Sequence, residues 1–426
     1  GTLPAAMAMA KTKFASMPRA RFFLVTLIFA TSPISHAFES LFNPPVSAPH
    51  ELNNCTEADV VWGVKMGGGV ALQNLPSECT TLDLANTRVG DSKAEALAEA
   101  LQRPQAPVLE IIKLQRNSIG DIGLVALAPV LVRIPVVHLS SNFIGDEGAS
   151  ALAFALGTAM SADAKLSPTA ASHENNRNNR MRELHLANND LGSQGCGEIA
   201  KALTGNPTLE VLVLSFNHVE TEGAMALAAG VRARGSSLRN LRLTRCRVGD
   251  AGANALGIAL GSESCKLERL ELGMNGVGDE GAKGIAKGLA NNERLRALYL
   301  TGHPPSLRGV DEDHAGEVLG DDGCAAVAKA IAKNARGVLQ ELDLSRGNVG
   351  DRCAAALGRM LRVDDKLLIL KLQDNLIGDA GAVHLASGLE GHGVLEELHV
   401  RNNNVHDEGA TRLWMALRRN PQIHQF

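Results

Sequence analysis

The sequence predicts an α/β solenoid, a horseshoe with a parallel sheet inside and helices outside, on three observations. One pattern recurs eleven times over residues 79–426, with a usual period of 28–29 residues. Within each copy, an alternating stretch gives way to apolar residues three and four apart, the mark of a strand followed by a helix. Hydrophobic residues make up 45% of the 426 while aromatic ones reach 3%, so Leu, Ala, Val and Ile must build the core. That composition excludes a disordered chain, a collagen and a polytopic membrane protein.

The pattern is L-x-x-L-x-L-x-x-N-x-I-G-D-x-G-A-x-x-L-A-x-x-L, with clear copies at 209–231, 267–289 and 367–389. Its Asn position falls at Thr87, Asn117, Asn142, Asn189, Asn217, Cys246, Asn275, His303, Gly347, Asn375 and Asn403. Two spacings, 47 and 44 residues, are long and mark insertions at 158–180 and 304–320. This motif resembles the leucine-rich repeat of the ribonuclease-inhibitor type, also found in NOD-like receptors and Ran GTPase-activating proteins. The resemblance covers 79–426 and implies a non-enzymatic scaffold that binds a protein on its concave face.

Each element has a reason in the pattern. In Leu-x-Leu the period of two sends both leucines to one side of a short strand and the residue between them to the other. Gly-Asp follows in eight of eleven copies, where the backbone bends sharply. The stretch G-A-x-x-L-A-x-x-L then forms one apolar helix face, and its small residues let the helix lie close to the strand. A buried Leu contributes roughly 1.5–3 kcal/mol only if a neighbouring repeat covers it, so the copies must fold as a stack. The Asn side chain both donates and accepts, and can satisfy backbone groups of adjacent turns that the stack buries. Cys246, His303 and Gly347 are therefore expected where this ladder is looser or wet.

Helix axes need about 8–10 Å and paired strands about 4.8 Å, so the stack bends toward its strands and the sheet becomes the binding surface. Exposed inner positions are the middle residue of Leu-x-Leu, the one two before it, and the two preceding the Asn position. In repeats 5 to 8 these include Val211, Val213, Phe216, Arg242, Arg245, Arg269, Glu271, Met274 and Tyr299, the expected partner-binding patch. Tyr299 is the only tyrosine of the chain, and aromatic, Met and Arg side chains are enriched at binding hot spots. Lys113, His138, His185, Asp343, Lys371 and His399 read as a polar rim.

The N-terminus reads as an address. Met17 opens a basic stretch, followed by the apolar run 22–30 and small residues Ser35 and Ala37, the layout of a secretory signal peptide. Residues 1–37 are thus expected to be an upstream segment with its signal peptide, 38–78 a cap, and 79–426 the repeat domain. A mitochondrial presequence or a plastid-import motif at 35–38 are the alternatives, and a cytoplasmic protein is a third. Asn54-Cys55-Thr56 is the one glycosylation sequon, and Cys55 with Cys79 is a candidate disulfide closing the cap. The other five cysteines, Cys324 and Cys353 among them, are expected as unpaired small core residues.

Residues 38–426 carry 38 basic and 46 acidic groups, a net of −8, which argues against a nucleic-acid partner. The nine-residue apolar run is too short to cross a bilayer. No catalytic, cofactor or metal site emerges. The G-x-G-x-x-G at 276–281 is the repeat's own turn, and the Asp311, Asp313 and His314 group in the second insertion reads as a hydrated loop. The expectation is a monomer with one protein ligand. The alternatives are a regulator of a small GTPase, which the acid-free ending LRRNPQIHQF disfavours, and the ligand-sensing part of a NOD-like receptor.

Overall fold

The computed structural model describes residues 53–65, 69–157, 179–303, 318–390, 392–420 and 422–423, all within one compact unit, Leu52–Phe426. The proposed signal peptide, most of both insertions and Phe426 lie outside the described residues.

Fourteen strands are described: β1 (Asn54–Thr56), β2 (Val61–Val64), β3 (Val70–Asn74), β4 (Thr81–Asp83), β5 (Ile111–Lys113), β6 (Val136–His138), β7 (Glu183–His185), β8 (Val211–Val213), β9 (Asn240–Arg242), β10 (Arg269–Glu271), β11 (Ala297–Tyr299), β12 (Glu341–Asp343), β13 (Ile369–Lys371) and β14 (Glu397–His399). Twelve of them form one parallel sheet in the order β1, then β4 to β14, and β2 pairs antiparallel with β3. The eleven helices are α1 (Gly90–Leu101), α2 (Asp121–Leu131), α3 (Asp146–Gly157), α4 (Ser193–Leu203), α5 (Glu220–Val231), α6 (Gly249–Leu260), α7 (Asp279–Leu289), α8 (Asp321–Lys333), α9 (Asp351–Leu361), α10 (Asp379–Leu389) and α11 (Asp407–Arg419). Strand and helix alternate from β4 onward, each helix packing on the next, so the eleven repeats are eleven strand–helix units of a solenoid. The cap supplies the twelfth strand, and a disulfide joins Cys55 of β1 to Cys79.

The core lies between sheet and helices. Both leucines of each strand motif are buried, as Leu212 and Leu214 or Leu370 and Leu372 illustrate, together with the Ala and Leu of the helix face. Trp414 in α11 remains about half exposed, with Arg418 over its ring.

Two side-chain ladders join the repeats. Asn142 is representative of the first: its Oδ1 accepts from the Asn117 and Ile119 amides of the preceding repeat, and its Nδ2 donates to the Leu114 and Leu139 carbonyls. At Cys246 a thiol donates to Leu214 O at 3.2 Å but brings no oxygen to the Asn217 and Val219 amides. The site is packed, not wet, since Cys246 is fully buried.

The second ladder was not legible as one. The Asp of Gly-Asp does more than shape a turn: its Oδ1 caps the helix of the following repeat. Asp121 accepts from Gly145 N at 2.7 Å and Gly148 N at 2.9 Å, and Asp351 from Gly378 N and Gly381 N at 2.7 and 2.9 Å. A carboxylate there satisfies helix-start amides and faces the positive end of the helix dipole. Repeats 4 and 5 carry Ser193 and Thr221 instead. In the repeats that follow them the backbone changes hand: Glu220 has φ 59° and Gly249 φ 62°, against −95° at Gly278. Lacking the carboxylate, the Glu220 and Gly249 amides turn to the Cys246 and Asn275 carbonyls. Gly90, which follows no helix-bearing repeat, does the same toward Asn117 O.

One expectation about cysteine is overturned. Cys324 and Cys353 are not unpaired core residues but a disulfide between repeats 8 and 9, while Cys196, Cys246 and Cys265 are free and buried. Burial in apolar surroundings pushes the Cys246 thiol up to about 12 and raises Cys196 and Cys265 as well, so none is a reactive thiolate.

Candidate functional site

Strand register aligns the middle residues of Leu-x-Leu into one column along the inner face, from Asp83 on β4 to His399 on β14. Neighbours in that column are about one strand spacing apart, so a large side chain covers a smaller one beside it. This corrects two expectations. Val213, between His185 and Arg242, is fully buried, and Arg242 itself is only 7% exposed. Val211, Phe216, Arg245, Arg269, Glu271, Met274 and Tyr299 are half-buried, and at this face they present partial surfaces.

Strands β9 to β13 bring part of the expected patch into a single charged network. Arg269 Nε donates to Glu271 Oε1 at 2.6 Å, and Arg242 Nε lies 3.4 Å from the same oxygen. The Arg269 guanidinium also sits 4.4 Å over the Tyr299 ring. The Tyr299 hydroxyl donates to Glu341 Oε2, and Lys371 Nζ donates to Glu341 Oε1 at 2.7 Å. Every side chain is thus fixed by its neighbours, which lowers the ordering cost of a contact made there.

The network's electrostatics follow from partial burial. Burial pushes the Tyr299 phenol up; Arg269 opposes this, while the Glu341 hydrogen bond and the charges of Glu341 and Glu271 add to it. Burial lowers Arg242, with Glu271 pulling the other way. For Arg269 burial also acts downward but is outweighed by Glu271, then Tyr299 and Glu341, and the net shift is upward. Glu341 is held below the usual carboxylate range: burial would raise it, but the hydrogen bonds of Lys371 and Tyr299 and the charges of Lys371 and Arg269 win.

Phe216, Arg245 and Met274 belong to a different feature. Each is the residue before the Asn position, and each is in the left-handed region, with φ 61°, 57° and 55°. That conformation is strained for large side chains and persists because the amides donate along the stack, to Thr244 O, Gly273 O and Thr301 O. The side chains leave the sheet at its strand-exit edge, where Arg245 lies 5.7 Å over the Phe216 ring.

Two sequence readings needed extension. Glu341 joins the network yet was not singled out, because the expected patch stopped at repeat 8; it occupies the same position, two before the middle residue, as Arg269. His138 and His185, read as polar rim, are buried at 5% and 2% exposure and stacked with ring centroids 4.3 Å apart. Burial, then His185 and Lys113, push His138 down to about 3, so it is neutral. Among the described residues no group of three or more His, Cys, Asp or Glu could hold a metal ion, and no helix is long and apolar enough to cross a membrane.

The family pattern described as Leucine Rich repeat matches residues 105–128, 136–153, 177–200, 205–228, 236–257, 263–286 and 394–413. The chain is similar to NACHT, LRR and PYD domains-containing protein 5 of Mus musculus, 25% identical over 336 residues, covering 78% of this chain and 23% of that one. Ribonuclease inhibitor of Sus scrofa is 26% identical over 373 residues, 84% of this chain and 78% of its own length. Ribonuclease inhibitor of Mus musculus is 30% identical over 312 residues, 72% and 55% respectively. The chain therefore spans about a quarter of the NACHT relative and most of the pig inhibitor.

Proposed function

Because the chain is built from leucine-rich repeats of the ribonuclease-inhibitor type, we propose that it is a non-enzymatic scaffold whose inner sheet face binds a protein ligand. The observation that carries this is the joined network of Arg242, Glu271, Arg269, Tyr299, Glu341 and Lys371, flanked at the strand-exit edge by Phe216, Arg245 and Met274. Three cations, two carboxylates and one aromatic ring held in fixed positions suit the mixed surface of a protein. A second reading, supported by the NACHT relative, gives the same face to the ligand-recognition part of an innate receptor.

The test is a photo-crosslinking residue placed at Met274 and, as a control on the helix side, at Phe154. A protein captured from Met274 and not from Phe154 supports the inner face; equal capture from both overturns it. With that partner in hand, the variant Phe216→Ala, Arg269→Ala, Tyr299→Ala is expected to lose about 100-fold or more in affinity, about 3 kcal/mol. Unchanged affinity in the folded variant removes the patch.

We further propose that the monomer works in the secretory pathway. Asn54 of the sequon is exposed on β1, and two disulfides suit an oxidising compartment. Expression from Met17 in a eukaryotic host, followed by intact mass, is expected to give cleavage after Ala37 and a glycan on Asn54; an unmodified cytosolic product discards this route.

A further inference from the structure

In each repeat the third residue counted from the Asp of Gly-Asp meets the helix start of the preceding repeat. Glycine holds this position in nine of eleven repeats. The reason is contact. A Cβ at Gly381 would stand 2.4 Å from Asp351 Oδ1 and 3.0 Å from Ala354 Cβ, and one at Gly409 would stand 2.6 Å from Asp379 Oδ1 and 3.0 Å from Ala382 Cβ. Of the two exceptions, Lys93 belongs to repeat 1, which has no helix before it. The other is Cys353 in repeat 9, and the residue it faces in repeat 8, where eight repeats have Ala, is Cys324.

These substitutions occur together. Their Cα atoms are 5.6 Å apart, inside the usual disulfide range, both residues are fully buried, and Cys353 N still donates to Asp321 Oδ1 at 3.0 Å. Cys196 is the internal control: it occupies the same position as Cys324, but it faces Gly223 and is free. Repeat 8 is also distinctive in connection, because its helix α8 hangs from β11 through the long insertion, where other repeats use a short turn.

We propose that Cys324–Cys353 is a redox-sensitive brace that locks α8 onto α9 and so holds repeats 8 and 9 together behind the Tyr299–Glu341 contact. It forms by exchange: one protein thiolate attacks a small-molecule disulfide such as oxidised glutathione and expels one thiolate. The second protein thiolate then attacks the mixed disulfide and expels another. The protein pair loses two electrons and two protons, and two equivalents of reduced thiol are released. The brace is independent of the partner proposed above.

The test compares the full chain with Cys353→Gly, which restores the residue other repeats use. In protein purified without reductant, alkylation and peptide mass mapping are expected to find Cys324 and Cys353 unmodified before reduction and both modified after it. Reductant is expected to lower the melting temperature of the unsubstituted chain more than that of Cys353→Gly, in which Cys55–Cys79 alone is left to reduce. Hydrogen exchange in α8 is expected to accelerate on reduction in the first protein and not in the second. Free, alkylatable Cys324 and Cys353 in the oxidised protein, or equal melting shifts in the two, overturn the brace.

Discussion

Glu220 stands at positive φ because Ser193, in the repeat before it, has no carboxylate to offer its amide. The strain belongs to Glu220 and its cause lies in another residue. Replacing Glu220 by Gly is expected to stabilise the fold by about 1 kcal/mol, since the left-handed region costs a side chain about that much. A lower urea midpoint for that variant would refute the explanation. Where the carboxylate is present, its loss should be felt: Asp351→Ala strands two helix-start amides and is expected to cost about 1–2 kcal/mol. His138 sets a pH limit of its own. Its ordinary value is 6.5 and its folded value about 3, so the unfolded chain binds more protons between those limits and stability falls with acidification. From pH 6.5 to 4.5 this amounts to about 2 kcal/mol, and urea titrations of His138→Gln should show a smaller loss over that window.

At the scale of the element, the strand and helix of each repeat could be read directly, because Leu-x-Leu and A-x-x-L-A-x-x-L differ in period and every copy repeats the difference. The Asn ladder was also legible, since one amide that donates and accepts has few other uses inside a stack. Its defect at Cys246 allows a direct check: Cys246→Asn is expected to stabilise by about 1 kcal/mol by offering the Asn217 and Val219 amides a carboxamide oxygen in place of sulfur. A loss in thermal or urea stability would mean that the pocket has closed around sulfur. The Asp ladder escaped because its acceptors lie in the next repeat, and a Gly-Asp pair in one segment looks complete as a turn. Burial of Val213 escaped for a related reason: the period of two gives the side of a strand, while cover comes from the neighbours at His185 and Arg242. The same limit hid the Cys324–Cys353 pair, whose partners occupy different positions of their repeats.

For the whole molecule, junctions between repeats matter more than repeats, because each unit is stable only against its neighbours. Most junctions from repeat 1 to repeat 11 carry both ladders. The step from repeat 5 to repeat 6 lacks the Asp cap and has Cys246 in place of Asn, and the step from repeat 4 to 5 lacks the cap. Native-state hydrogen exchange should therefore show the stack parting first around α5 and α6, with slower exchange on both sides; uniform protection through this region would contradict that order. The Asp cap also has a direction. Every carboxylate reaches forward, from one helix to the start of the next, and none reaches back. A unit copied out of repeats 7 to 10 thus carries a connector toward the repeat after it and a matching socket for the repeat before it. Asp407 in α11 is a connector with no socket following it among the described residues. Such an array can be lengthened by duplication or by grafting at that end without any new joint having to be invented, which makes it a one-way ratchet for growth.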